Sequence, residues 1–207
     1  MSESIKTIAS YFAMIPALIL TAMMRLMGMF FDPERSFQSF SQFLALAPGL
    51  SGNYIRKEFY RLNLKACSAN PVISFGTIFS SSEAEIGENV YIGPYSIIGR
   101  ASIGDDTLIA SRVSLMSGLR QHNYSRTDIP IREQSGEFKK IIVGKDCWIG
   151  EGAVVGADVG AHSVIAAGSV VFEEVQELQI VRGNPAQLYK TRKKKVPNQP
   201  LPHKSSV

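Results

Sequence analysis

Cysteine, histidine and tryptophan are scarce in this 207-residue chain: two, three and one, respectively. Cys67 and Cys147 form no CxxC pair. That argues against a disulfide framework and a thiolate zinc site, and fits a reducing, cytosolic setting. No P-loop, GxGxxG or metal-ligand cluster occurs, so no metal is expected. The formal net charge, +4, is too small to imply a nucleic-acid partner. Much of the excess sits in Lys190, Arg192, Lys193, Lys194 and Lys195. Such a run is either a solvated tail or a site for an anion or anionic lipid headgroup.

What the chain does have divides it in three: an apolar and amphipathic region (1–70), a repeat domain (71–185) and a basic tail (186–207). Residues 8–31, "IASYFAMIPALILTAMMRLMGMFF", are long enough to cross a bilayer, for which roughly 20 apolar residues suffice. Pro16 and Arg25 interrupt the stretch, and no A-x-A cleavage site follows. Phe37, Phe40, Phe43 and Leu44 then recur at helical spacing. In the next segment Tyr54, Ile55, Phe59 and Leu62 define one face, with Arg56, Lys57, Glu58 and Arg61 expected around the rest. Three helices are expected here. They attach the chain to a membrane surface, by crossing it or lying on it, or else they cap the main domain.

From Val72 onward, aliphatic residues fall at six-residue steps. Ile86, Ile92 and Ile98 are followed, after a one-residue slip, by Ile103, Ile109 and Leu115. Val143, Ile149 and Val155 resume the count, and Val159, Ile165 and Val171 end it. This period predicts a mainly β fold, a parallel β-helix of stacked hexapeptide coils. Each aliphatic residue points into a narrow prism. The glycine that often follows it is expected to tolerate the corner's backbone angles. The one long interruption is a polar loop, 118–140, with His122 near its start.

"IGENVYIGPYSIIG", "IIVGKDCWIGEGAVVGADVGAHSVIAAGSVVFEEV" and "RGNPAQLYKTR" resemble the hexapeptide-repeat O-acetyltransferases of galactosides, maltose, virginiamycin and capsular sugars. The resemblance spans about residues 72–192 and implies a left-handed β-helix, a homotrimer and acetyl-CoA as acyl donor. Acyl transfer from a thioester to a hydroxyl needs a base for the hydroxyl proton and donors for the oxyanion. A neutral imidazole suits the first task, its unperturbed pKa lying near ~6.5.

His203 lies in the terminal tail and His162 at a corner, whereas His122 opens the loop after "SG", where the family places its base. Its alternative role is loop packing. Its orienting partner stays open among a backbone carbonyl, Asp128 and Glu133. By resemblance Trp148 borders the pantetheine channel, although it equally fits as packing under the loop. Ala167 and Gly168 are small enough for a ligand to approach the backbone, and the resemblance puts the pantetheine there and implies that Lys190 and Arg192 meet the nucleotide phosphates. Arg112 stands where relatives often carry an asparagine that touches the acceptor, and Asn123, Tyr124 and Arg126 either line the acceptor side or are simply solvated loop residues.

The implied activity is acetyl transfer to a sugar hydroxyl of a cell-envelope glycan or its lipid-linked precursor. It would take place at the cytoplasmic face of a bacterial inner membrane, or in the cytoplasm. A soluble small-molecule or antibiotic acetyltransferase and a non-catalytic membrane-tethered scaffold are the alternatives. A γ-class metal hydratase would need three imidazoles on its ion, and only two histidines lie in the repeat domain.

Overall fold

Short paired strands of two to four residues, wound around a three-sided prism, carry most of the chain. The computed structural model describes residues 3–193. Lys194, Lys195 and His203 fall outside them. The first face stacks Ala66–Cys67, Glu85–Ile86, Ala101–Ile103 and Ile141–Val143, extended by bridges at Val159 and Val175. The second stacks Val72–Ile73, Tyr91–Ile92, Leu108–Ile109, Trp148–Ile149, Val164–Ile165 and Gln179–Arg182. The third stacks Ile78–Phe79, Ile97–Ile98, Ser114–Leu115, Val154–Val155 and Val170–Val171. Pairing between coils is parallel throughout, and the solenoid completes about six turns, consistent with the left-handed winding of hexapeptide repeats.

The aliphatic residues counted in the sequence are the buried ones, and each stacks on its equivalent: Ile86 pairs with Ile103, Ile92 with Ile109, Ile98 with Leu115. One coil precedes them, built on Cys67, Ile73 and Phe79. The glycine that follows the aliphatic residue has a different cause from the expected one. Gly93 and Gly104 do not have positive φ; a Cβ on either would lie 2.6 Å from backbone of the next coil, at Ala110 C and Lys145 N. Close coil-to-coil approach selects glycine there. The left-handed corner angles belong to other positions, among them Asn89, Asp106, Asp146 and His162 in one column and Tyr95, Arg112, Gly152 and Gly168 in another.

The first coil would leave an unpaired strand edge, which natural sheets cover. Three helices cover it here: α1 (Glu3–Phe30), α2 (Pro33–Ala45) and α3 (Gly49–Asn63). Asp32 caps α2 by accepting from the Arg35 N–H at 2.8 Å, with Pro33 in the first turn. Phe37, Leu44, Phe59 and Tyr60 close the open end of the prism, Tyr60 packing 4.4 Å from the Phe79 ring. Ser41 Oγ accepts from Phe79 N–H at 2.8 Å and also bonds the Tyr60 hydroxyl, while Glu34 takes Ser82 N–H and its hydroxyl.

Two of the charged residues expected around the rest of α3 do not lie at its surface. Arg56 and Glu58 are fully buried. Arg56 donates to the carbonyls of Ile73, Leu44 and Ala47 and to Asn53 Oδ1, stitching helix ends to the first coil. Glu58 accepts from Arg61 at 2.7 Å and lies 3.1 Å from the Lys57 ammonium, an ion pair without a well-aligned hydrogen bond.

Candidate active site

The interruption at residues 118–140 leaves the prism at the corner between the third face (Ser114–Leu115) and the first (Ile141–Val143). It is an ordered hairpin whose two arms bond to each other. Lys139 N–H donates to the Ser117 carbonyl, Glu137 to Arg120 and Asn123 to Ser135. Buried Gln134 clips the tip: its amide donates to the Arg126 and Ile129 carbonyls and its Oε1 accepts from Arg126 N–H. At the base, Leu119 packs on Gly156, where a Cβ would overlap it.

His122 sits on the outgoing arm, exposed, and its ring makes no hydrogen bond among the described residues. Asn123 and Tyr124 follow it and are exposed too. Neither carboxylate considered as its partner is free. Arg126 holds Asp128 through both oxygens, keeping that carboxyl below its ordinary range. Glu133 lies 3.7 Å from Arg132.

The remaining candidates lie elsewhere on the prism. Trp148 points outward from the second face beside buried Ile149, 55% exposed, so the loop of its own chain does not cover it. It continues an outward column of Val72, Tyr91 and Leu108, each at least 39% exposed. Arg112, Gly152 and Gly168 stack at the corner between the second and third faces, all with positive φ. There Arg112 pairs with Glu151 at 2.5 Å, a partner that coil register alone could have revealed. Ala167 and Gly168 are exposed, but the Gly168 N–H is already given to the Glu151 carbonyl.

Lys190 and Arg192 lie in and just after the antiparallel strand Gln187–Thr191, which closes the far end of the second face. They line a groove with His162, Glu177 and Lys193. Arg192 donates to the His162 carbonyl at 2.6 Å and lies 3.6 Å from Asp146, so it is partly committed within the chain. His162 bonds Asp146 at 2.8 Å. Within one chain, then, the donor-side candidates gather on the second face and its borders. His122 stands at the corner away from that face.

A parallel solenoid of hexapeptide coils with one histidine-bearing hairpin defines the class. Residues 83–116 match the bacterial transferase hexapeptide model, and residues 140–173 match the hexapeptide repeat of succinyl-transferase. Both matches fall within the solenoid, so the chain carries the hexapeptide repeat that these transferase models describe. It is 31% identical over 113 residues to YJL218W of Saccharomyces cerevisiae, covering 52% of this chain and 55% of that one. It is 30% identical over 119 residues to the galactoside O-acetyltransferase of Escherichia coli K12, covering 52% and 53%. The chain thus spans about half the length of these relatives. Among solved structures, a galactoside acetyltransferase in complex with coenzyme A shares the fold, with a TM-score of 0.65 and 22% identity over 78% of this chain and 83% of that one.

Proposed function

We propose that the protein is an acetyl-CoA-dependent O-acetyltransferase acting on a sugar hydroxyl of an envelope glycan or its lipid-linked precursor, with His122 as general base. The observation that carries this reading is the single ordered break in the solenoid, which presents an unbonded imidazole on a braced arm. A solvent-exposed packing histidine would need no such brace. His122 takes the proton of the acceptor hydroxyl as its oxygen attacks the thioester carbonyl. When the tetrahedral intermediate collapses, the thiolate leaves and recovers that proton from the imidazolium.

This chemistry calls for assembly as a homotrimer. His122 and Trp148 lie on different sides of the prism, and the outward column of Val72, Tyr91, Leu108 and Trp148 is apolar surface that a neighbour would cover. A second copy set against that face brings its His122 hairpin to Trp148, Ala167 and Gly168, the donor side. Lys190, with Arg192, is then placed for the nucleotide phosphates. Arg112, Asn123 and Tyr124 are left for the acceptor. The apolar helix α1 supports attachment at the cytoplasmic face of the membrane, where lipid-linked glycans are built.

The test is turnover of acetyl-CoA with a panel of sugar acceptors. His122→Ala should lower kcat by about 10²–10⁴-fold while leaving coenzyme A binding intact. Undiminished turnover in that variant removes the assigned base. Mass spectrometry of envelope glycans, with and without the protein, identifies the acceptor by its lost acetyl group.

A further inference from the structure

By composition α1 passes for a membrane span: residues Thr7–Phe30 have a mean hydropathy of 1.8. Its packing denies that orientation. One side of the helix carries small residues, Ala13, Ala17 and Thr21 at four-residue steps and then Gly28, and this side is covered by the other two helices. Lys57 of α3 bonds Ser10, and Asn63 of α3 bonds Thr21. Pro33 and Ser36, at the start of α2, lie against Gly28. These contacts run along α1 for about 27 Å at 1.5 Å per residue. That nearly equals the ~30 Å hydrocarbon thickness of a bilayer. The helices making them are tied to the solenoid's first coil through Arg56, Ser41 and Glu34. If α1 crossed the bilayer, Lys57, Glu58, Asn63 and the first coil would be drawn into hydrocarbon, where unsatisfied polar groups are prohibitive.

The opposite side is continuously apolar and uncovered. Ile8, Phe12, Ile15, Ile19, Leu26 and Phe30 recur at helical steps, each more than half exposed. Exposed Phe43, Leu46 and Leu50, at the turn between α2 and α3, add a second apolar tip. Residues 7–31 contain no acidic side chain, and the first 70 residues hold seven basic against four acidic ones. Among the acids, Asp32 caps α2, Glu34 is bonded to Ser82 and Glu58 is buried. Basic Arg25, Arg35 and Lys65 are exposed. The face is therefore apolar with a cationic surround, the complement of an anionic leaflet.

We infer that α1 lies in the plane of one leaflet, its Ile8–Phe30 face in the acyl boundary, with α2, α3 and the solenoid standing on its aqueous side. This rests on the membrane attachment proposed above and sharpens it to a monotopic orientation. The acceptor it favours is a sugar held close to the lipid surface, because the solenoid cannot move away from it.

Flotation of the full chain with phosphatidylethanolamine–phosphatidylglycerol vesicles tests attachment. Ile15→Asp combined with Ile19→Asp should weaken partitioning by at least about tenfold, given the transfer free energy of two buried aliphatic side chains, with an unchanged melting curve. Orientation is read separately, from fluorophores attached at Ile8→Cys, Ile19→Cys and Met29→Cys and quenched by lipids brominated at defined depths. Equal, shallow depths at all three support the inference. A deep Ile19 between shallow ends shows a span and overturns it, while leaving membrane attachment standing. No flotation of the unmodified chain overturns both. So does a stable oligomer without lipid in which the fluorophores at these sites are shielded, since a second copy would then cover the face.

Discussion

Gly150 and Gly152 lie two residues apart at one corner of the solenoid, yet they are glycine for opposite reasons, and that separates two accounts of the repeat. Gly150 has ordinary backbone angles, but a Cβ there would lie 2.8 Å from Ala166 C and from Ala167 Cα, and closer still to Ala167 N. Contacts with a Cβ normally begin near 3.4 Å. The neighbouring coil cannot give way alone: Gly150 N–H bonds the Ile165 carbonyl at 2.8 Å, and Ala166 N–H bonds Val181 at 2.9 Å. Gly150→Ala should therefore cost about 1–3 kcal/mol, the range for overpacking a rigid site. Gly152 has φ +68°, and the place a Cβ would take has nothing within 4 Å. Gly152→Ala meets only the left-handed penalty of about 1–2 kcal/mol, partly offset by about 0.4–1 kcal/mol from a stiffer unfolded chain. Gly152→Asn should cost less again, since asparagine tolerates that region and the column already holds Tyr95 and Arg112 at positive φ. At about 2–4 °C per kcal/mol for a domain of this size, thermal unfolding followed by circular dichroism should show Gly150→Ala falling clearly further than either Gly152 variant. An equal or reversed order would falsify the claim that coil spacing, not corner angle, fixes the glycine that often follows the aliphatic residue.

Arg56→Met should destabilise the chain by about 3 kcal/mol, because the carbonyls of Ile73, Leu44 and Ala47 lose the guanidinium together, Leu44 keeping the Ala47 N–H. A urea midpoint shifted by less than half of this would show that water replaces the guanidinium. Lys140 and Lys65 hold the Glu85 carboxyl down to about 2 from an ordinary 4.5. A depressed acid stabilises the fold above its unfolded value, and this contribution is lost as pH falls from about 4.5 towards 2. Glu85→Gln should thus flatten the acid limb of the stability profile over that window. An unchanged limb would show that the pairs to Lys140 and Lys65 contribute nothing on the solvated face.

Register was legible in the sequence because each hexad buries one side chain in a prism too narrow for alternatives, so Ile92, Ile109 and Ile149 announce themselves by size and spacing. The first coil was not, because Cys67 and Phe79 answer to the helices above them rather than to a further coil: Tyr60 lies against the Phe79 ring, where a stacked valine would otherwise stand. Arg56 and Glu58 misled for the same reason. Charge on an amphipathic pattern reads as solvent-facing, and only the docking of α2 and α3 on the strand edge turns Arg56 into a cap for three carbonyls. The place of the hairpin was legible as the break in period, and physics explains why the fold tolerates it. It enters at a corner, after Ser114–Leu115 has paired with Ile97–Ile98 and before Ile141–Val143 pairs with Ala101–Ile103. No ladder loses a bond, and the arm replaces what it takes from the corner with its own Ser117–Lys139 and Arg120–Glu137 bonds. What spacing does not show is how the candidates meet. Counting coils puts Trp148 on the second face and His122 at the corner between the other two. The functional reading thus requires a partner subunit, which a linear motif search has no means of expressing.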